Sequence, residues 1–390
     1  MTDTHPAPVG PPRWRLFAAL FGLVLAPAVT VTVSPLLNSV AMDVRGLEPV
    51  EIGSIRTAEI LLNATLTLWL STQLTKIAPR TLGLIGAALF CAGNAAGIPG
   101  AGLWDLAAAR LAAGAGAACL GAAGASVYAQ FASPQRASGV LVIPWTMASV
   151  TAALIAGESA KAQSQTGVFG VLAAAAVIAA AFIALMPGGR APAHVSGPHL
   201  PIAQSLRSPY VLGYGCLFFG STAVWHFFAR IGLSHGLAAD QISQIIAAAS
   251  VLAGLMGAGA MLVRDRWVRV GMLVSLAAFG AMATTVAWSP SALIYLAAYG
   301  LQSVMYVFLT ILVPTMGVRI DRTGATNTAA GGVATMINAV APAIAGALVQ
   351  GGSFAALGVM CAASAGLSFV LLAYATRHAA APRAEKPGVT

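Results

Sequence analysis

The chain has 390 residues, of which 58% are hydrophobic and only 8% are charged. A soluble globular protein carries about 25% charged residues, so this composition excludes a fully water-exposed surface and predicts that membrane lipid covers most of the chain. The net charge of +9 does not indicate a nucleic-acid partner, because the basic residues are scattered through short loops and form no basic stripe.

Apolar runs long enough to cross a bilayer recur along the whole chain. A spanning helix needs about 20 mostly apolar residues, and the first such run extends from Leu16 to Leu37. It exceeds the apolar core of a cleaved signal peptide, which has about 7–15 residues, so we interpret it as a retained span. Twelve spans are predicted near residues 16–38, 52–72, 81–100, 103–128, 138–159, 167–186, 209–230, 241–262, 270–288, 291–315, 326–350 and 354–376.

A polar segment rich in proline and glycine separates the first six predicted spans from the last six. Such a composition cannot build a packed core of its own, so we predict a linker and no third domain. The predicted organisation is an N-terminal tail at 1–15, a six-helix bundle at 16–186, a linker at 187–208, a six-helix bundle at 209–376 and a C-terminal tail at 377–390.

The distribution of basic residues predicts the orientation of the chain. Fifteen of the 20 Lys and Arg residues fall on one side of the predicted topology and four on the other, while Arg110 lies within a span. Basic residues collect in cytoplasmic loops, so both tails and the linker are predicted to be cytoplasmic. The high Ala and Gly content and the short loops favour a multi-pass protein of the bacterial inner membrane.

Two ionisable residues of the second span and one of the fourth form the main candidate site. Ionisable groups at a helix centre cost roughly 2.5–3.5 kcal/mol, so they persist when they are paired or functional. Arg56, Glu59 and Asn63 have helical spacing that places them on one face. Glu59 and Arg110 lie roughly 12 and 10 Å along their helices from the same membrane face. The sequence therefore predicts a Glu59–Arg110 pair facing a cavity.

This pair has one functional and two structural interpretations. In the functional one, Glu59 binds and releases a proton while Arg110 alternates between Glu59 and an anionic or polar substrate, because a nearby arginine changes the proton affinity of a carboxylate. In the first structural one, the pair only locks helix packing. In the second, Arg56 neutralises Glu59 within its own helix and Arg110 binds backbone carbonyls.

Polar and aromatic residues on other predicted spans are candidates for substrate contact. Amides within spans often join helices instead. His226 is a candidate pH sensor, and the structural alternative is a satisfied buried His beside a snorkelling Arg230. Glu158 and Lys161 are expected to form a surface ion pair that contributes little to stability. The substrate-contact candidates are Arg56, Asn63, Asn94, His226, Tyr299, Gln302, Tyr306 and Asn338.

Several chemistries have no motif in this sequence. The four cysteines lie in apolar runs without CxxC spacing, so we predict neither disulfides nor a metal site. A phosphate-binding loop and a zinc-protease motif are both absent from the sequence. An enzyme and an ATP-driven pump are therefore disfavoured, and no cofactor is predicted.

The fourth span carries the motif that resembles a known family. Leu106 precedes Arg110 by four residues, and Gly114 and Gly116 follow that arginine by four and six residues. This pattern resembles the fourth helix of the major facilitator superfamily. The loop after the second span keeps only the basic residues Lys76 and Arg80 of the family's loop motif.

Two further segments carry weaker resemblance. The loop after the eighth span keeps Asp265, Arg266 and Arg269 of the same motif. The fifth span has Pro144 but lacks the paired glycines found in proton-exchanging drug exporters, and the eleventh has only Pro342 and Gly346. The resemblance covers the chain from Leu16 to Thr376 and carries information on fold rather than on substrate.

The resemblance implies an all-α integral membrane protein made of two pseudo-symmetric six-helix bundles. It implies a monomeric secondary transporter that moves a small organic solute by alternating access between bundles. The Glu59 site predicts that the coupling ion is a proton. Export is slightly favoured, because the fourth-span pattern resembles that of proton-coupled exporters. The alternatives are an importer of a small organic anion and a non-transporting membrane sensor with the same fold.

Overall fold

The computed structural model describes residues 13–74, 76–99, 102–128, 131, 134–188, 209–260, 262–320, 325–351 and 353–377. The predicted linker at 187–208 and the predicted tails at 1–15 and 377–390 lie almost wholly outside these residues. The described part of the chain is helical and contains no strand. We refer to residues 13–188 as the N-terminal half and to residues 209–377 as the C-terminal half.

Six helices in the N-terminal half follow the predicted spans. Pro49 and Pro79 open two of them at first-turn positions, where the missing proline N–H has no helical partner in any case. Pro27 and Pro144 lie inside continuous helices. The helices are α1 (Arg13–Arg45), α2 (Pro49–Ser71), α3 (Pro79–Ala96), α4 (Leu103–Tyr128), α5 (Pro134–Lys161) and α6 (Gln165–Ala184).

The C-terminal half contains two spans that are broken into consecutive helices. The seventh predicted span breaks at Phe218, and the eleventh breaks at Val340, two residues before Pro342, which sits in the first turn of the next helix. Proline cannot continue the helical hydrogen bonding. The helices are α7 (Pro209–Leu217), α8 (Phe219–Ser234), α9 (Ala239–Ala260), α10 (Val268–Trp288), α11 (Ala292–Ile320), α12 (Ala325–Ala339), α13 (Ala341–Val349) and α14 (Ala355–Ala375).

Nine helical segments of the described chain are long and apolar enough to cross a membrane. Helices α2, α3 and α5 fall outside this group, and α2 carries Arg56 and Glu59 within its length. The expected all-helical, multi-span membrane protein is therefore confirmed, whereas twelve crossings in two bundles of six stay a prediction.

Small residues allow the helices of the N-terminal half to pack closely. A side chain on Gly116 of α4 would meet the backbone of Gly86 and Phe90 on α3, and one on Gly93 of α3 would meet the backbone at Ala113. Close backbone approach of this kind compensates for the absence of a hydrophobic driving force in lipid. Gly121, on the same helix as Gly116, faces open space.

The two halves contact each other where α1 and α5 end and where α2 and α9 begin. Ala343 N–H donates to Thr57 Oγ1 at 3.0 Å, and Gln350 Nε2 donates to Glu48 Oε2 at 2.7 Å. Side chains on Gly53 and Gly346 would collide with the facing backbone. These contacts join α2 to α13, and we call this end of the molecule the sealed end.

Ion pairs between the halves lie at the same end. Lys161 Nζ lies 2.8 Å from Asp240 Oδ2, and Arg230 Nη2 lies 2.7 Å from Asp43 Oδ1. The expected Glu158–Lys161 pair is therefore replaced by a pair between α5 and α9. Sequence spacing favoured the local partner, whereas helix packing brings Asp240 to Lys161 from the other half.

The close contact between the halves at the sealed end stops part-way along helix α1. Val24, Pro27 and Val31 lie on one helical face and retain exposed surface, with Val31 62% exposed, while the segment 33–41 is buried throughout. Trp225 of α8 donates its ring N–H to the Val31 carbonyl at 3.0 Å. This face of α1 therefore points to the space between the halves, which narrows toward the sealed end.

Candidate functional site

Glu59 and Arg110 form a two-point ion pair inside the N-terminal half. Arg110 Nε donates to Glu59 Oε2 at 2.9 Å, and Arg110 Nη2 donates to Glu59 Oε1 at 2.5 Å. Glu59 is 6% exposed and Arg110 is 1% exposed. Bidentate arginine–carboxylate pairs are among the strongest and most directional polar contacts in proteins. The pair therefore fixes α4 against α2 as well as balancing charge.

Arg56 binds the same carboxylate from within α2. Its Nη1 donates to Glu59 Oε2 at 2.5 Å, whereas its Nε is buried and has no hydrogen-bond partner among the described residues. Glu59 therefore binds both arginines, whereas Arg110 donates to Glu59 and Asn94 rather than to the backbone carbonyls expected in the second structural interpretation. The three side chains carry a net charge of +1 in a buried position, and one guanidinium is incompletely satisfied.

Asn94 of α3 orients Arg110 from the opposite side. Its Oδ1 accepts a hydrogen bond from Arg110 Nη1 at 2.9 Å, and its Nδ2 donates to the Phe90 carbonyl at 2.8 Å. Asn94 is fully buried, and its amide is held by its own helix. It therefore acts here as a support for the guanidinium.

Gly114 explains why a glycine follows the arginine by one helical turn. A Cβ at this position would lie 2.8 Å from the Glu59 carbonyl oxygen and 3.0 Å from its Cγ. Real Cβ atoms do not approach backbone this closely, so a side chain at 114 would push α2 away from α4. The Arg110–Gly114 spacing thus supplies both the guanidinium and the room for its partner.

Gly114→Ala is expected to lower the melting temperature of the purified protein, whereas Gly121→Ala is expected to leave it unchanged or raise it. Alanine is about 1 kcal/mol better than glycine within a helix, and a Cβ added at Gly121 would meet no atom within 4 Å. At Gly114 this gain is opposed by overpacking, which costs about 1–3 kcal/mol. Equal melting temperatures for the two variants would contradict this difference in packing.

Asn38 and His226 connect this charge cluster to the C-terminal half. Asn38 Nδ2 of α1 donates to the His226 carbonyl at 3.1 Å and lies 3.3 Å from its Nδ1. Asn38, Arg56 and Arg110 also line one small cavity. Asn38 is not among the candidates predicted from the sequence, although the same rule that selected the other amides within spans would have selected it.

Two of the predicted candidates make local or structural contacts away from the cluster. Asn63 Oδ1 accepts a hydrogen bond from Thr67, one turn along α2. Asn338 Nδ2 donates to the carbonyls of Ala334 and Gly215, and its Oδ1 accepts from Thr222. Asn338 therefore joins α12 to α7 and α8 close to their breaks.

The aromatic candidates lie on α11 in the C-terminal half. Tyr299 stacks on Trp225 with ring centroids 5.8 Å apart, and Tyr306 packs on Phe218 at 5.0 Å. Gln302 lies between the two tyrosines, and its Oε1 is buried with no hydrogen-bond partner among the described residues. Tyr299, Gln302 and Tyr306 thus form a group on α11 of the C-terminal half. This group is separate from the ion pairs of the N-terminal half.

The described residues contain no cluster of three or more His, Cys, Asp or Glu side chains able to hold a metal ion. Neither the family models nor the curated proteins include a match to this sequence. Solved structures do match in fold.

The nucleoside transporter NupG superposes with a TM-score of 0.73 at 13% identity, over 94% of this chain and 98% of that one. A point mutant of the same transporter gives a TM-score of 0.71 at 14% identity, over 94% and 99%. A D-xylose–proton symporter gives a TM-score of 0.65 at 14% identity, over 91% and 96% of the two chains.

These similarities run through nearly the whole of each chain, although the sequence identities are low. The names of the matched proteins give no support to the slight preference for export. The fold expected from the Arg110–Gly114 motif is confirmed: this chain has the fold of major facilitator superfamily transporters.

Proposed function

We propose that this protein is a proton-coupled secondary transporter that moves a small organic solute across the bacterial inner membrane by alternating access. In this proposal, twelve spans form two six-helix bundles and both tails lie in the cytoplasm. The sealed end then faces the periplasm, and the exposed face of α1 opens toward the cytoplasm. This conformation corresponds to an inward-facing transporter.

The observation that carries this proposal is the buried Glu59 carboxylate between Arg110 and Arg56. A structural ion pair needs one arginine, whereas this carboxylate has two, and Arg56 lacks a partner for its Nε among the described residues. Intramembrane ionisable groups with such arrangements mark proton relays and substrate pathways. The cluster also lies beside Asn38, which bonds the other half across the seal.

Proton coupling follows from the charge of Glu59. When Glu59 is ionised, it holds Arg110 and Arg56, and α2 and α4 are fixed against each other. When Glu59 binds a proton, both guanidiniums lose their anionic partner and are free to move. Because Gly53 and Thr57 on α2 contact α13 across the seal, a movement of α2 changes this contact.

We propose symport of the solute and the proton rather than export. The deprotonated Glu59 pair coincides with the open cytoplasmic side, which is the state expected after a proton has been released into the cytoplasm. One of the matched structures is a D-xylose–proton symporter, which supports the same direction for proton and solute. A non-transporting sensor would need no proton-binding carboxylate, and the Glu59 arrangement disfavours it.

The transport proposal is tested in two steps. Metabolites are first compared between cells and medium for wild type, Arg110→Met and an empty vector at matched membrane expression, which identifies the solute. The purified protein is then placed in liposomes that contain a pH indicator. Addition of the solute is expected to acidify the lumen with wild type only, whereas solute entry without acidification would contradict proton symport.

A further inference from the structure

Four aromatic side chains of the C-terminal half form two ring pairs, Phe218–Tyr306 and Trp225–Tyr299, which we together call the aromatic wall. Trp225 and Tyr299 are nearly parallel, with an interplanar angle of 17°. Tyr306 packs on Phe218 at 5.0 Å and lies near Phe279 at 6.4 Å. Tyr299 and Tyr306 are seven residues apart, which places them on one face of α11.

The aromatic wall reaches the boundary between the two halves at Trp225. Trp225 reaches α1 of the N-terminal half, where its ring N–H binds the carbonyl of Val31. Tyr306 is 48% exposed, although its ring contacts α7–α8 and α10. Tyr306 follows Tyr299 by two helical turns along α11, so it lies farther from the sealed end than the Trp225–Val31 contact.

The buried charged side chains of α2 and α4 are paired with one another and not with the wall residues. Arg56, Glu59 and Arg110 bind one another and are buried in the N-terminal half. The ring partners of the wall residues are other aromatic side chains. Such a surface matches a ligand with an uncharged face, since an ionised group placed there would lose its hydration without gaining a counter-charge.

Gln302 adds a polar requirement to this surface. It follows Tyr299 by three residues and precedes Tyr306 by four, so it shares their face of α11. Its Oε1 is buried without a hydrogen-bond partner among the described residues. Buried acceptors are normally satisfied, and a ligand N–H or O–H at the wall would satisfy this one.

We propose that the transported solute is an uncharged compound with a flat ring that carries a ring-edge hydrogen-bond donor. The ring stacks on Tyr306 and Trp225, and its donor binds Gln302 Oε1. This inference rests on the proposed transport function and names the substrate class for it. Ligand sites of this kind combine apolar and aromatic walls with a few polar groups that set specificity.

The test uses one solute that has every required feature and three that each lack at least one of them. Uridine has a flat uncharged ring with an N–H donor, 3-methyluridine lacks that donor, orotate carries a carboxylate, and D-xylose has no flat ring. Binding to the purified protein is measured by tryptophan fluorescence and calorimetry. We expect uridine to bind at least about tenfold more tightly than each of the other three, since 1.4 kcal/mol corresponds to tenfold in affinity.

Two variants of α11 and one matched control locate the site. Tyr306→Ala is expected to weaken uridine binding by about 5- to 100-fold, because one base–aromatic stack has that range of effect, while Tyr306→Phe retains binding. Gln302→Leu is expected to remove the preference for uridine over 3-methyluridine. Tyr374 of α14 is equally exposed, at 52%, and packs under Arg377, so Tyr374→Ala should bind uridine as wild type does.

The outcomes separate this inference from the transport proposal. Equal or tighter binding of orotate or D-xylose, or no binding of any of the four solutes, would overturn the substrate class. Proton-coupled transport of a solute without a flat ring would overturn it too, but would leave the transport proposal intact. Binding of uridine without solute movement in liposomes would support the substrate class and contradict transport.

Discussion

Replacing Glu59 with glutamine is expected to abolish proton-driven accumulation of the solute while leaving solute exchange across the membrane. The amide keeps the shape of the carboxylate but cannot carry the proton. Without proton binding and release, a transporter still alternates when solute is present on both sides of the membrane. It loses the ability to concentrate the solute against a gradient. The measurement is uptake against a gradient, compared with counterflow, in liposomes at several pH values.

The folding of this variant needs its own control. Glu59→Gln leaves Arg56 and Arg110 without an anion, and an uncompensated buried charge costs about 3–5 kcal/mol. The double variant Glu59→Gln, Arg56→Met restores the net charge of +1 and keeps Arg110 beside Asn94. Retention of exchange in this double variant shows that it is folded and able to alternate.

Proton coupling through Glu59 predicts a specific loss of pH dependence. Uptake by the wild type should depend on the pH gradient, whereas exchange by the double variant should be the same at every pH tested. If the double variant still accumulated the solute in response to a pH gradient, Glu59 would be excluded as the proton carrier. The proton would then have to bind elsewhere, and the Glu59 cluster would be structural.

Replacing Arg110 with methionine is expected to have the second-largest effect, with loss of transport and a marked fall in stability. Arg110 makes two hydrogen bonds to Glu59 and one to Asn94, all of them buried. The variant leaves the Asn94 side-chain carbonyl oxygen unpaired, which costs about 1–3 kcal/mol, and it removes the contact that fixes α4 against α2. Thermal unfolding in detergent and uptake in liposomes measure the two effects.

Arg56→Met is the matched control for this prediction. It also removes one arginine from Glu59, but that arginine contributes a single hydrogen bond within its own helix, and its Nε has no partner among the described residues. The neutral Glu59–Arg110 pair remains, so we expect a clearly smaller loss of stability than with Arg110→Met. Equal destabilisation by the two variants would show that net charge, rather than the geometry around Arg110, governs the cluster.

The sequence alone determined the class of the protein and the identity of its central charged residues. Eight per cent charged residues cannot cover a water-exposed surface, and helical periodicity placed Arg56 and Glu59 on one face. Rise per residue then put Glu59 and Arg110 at one depth. These are properties of composition and of single helices, and they are fixed before any tertiary contact forms.

Apart from the Glu59–Arg110 pair, the contacts between helices followed from the tertiary structure only. The partner of Lys161 is Asp240 in the other half, Asn38 binds His226 across the seal, and Glu59 binds both arginines rather than one. Pairs 79 and 188 residues apart in the chain have no signature in local spacing. They depend on which helix faces which, and that is set by close packing at residues such as Gly53 and Gly346.

The aromatic wall shows the same division. The sequence identified Tyr299, Gln302 and Tyr306 as candidates by their place within a span, but it could not distinguish a lipid-facing ring from one that faces the space between the halves. That distinction requires the neighbours of each ring, here Phe218, Trp225 and the Val31 carbonyl. Local periodicity fixes the face on which a side chain lies, and only the fold decides what that face meets.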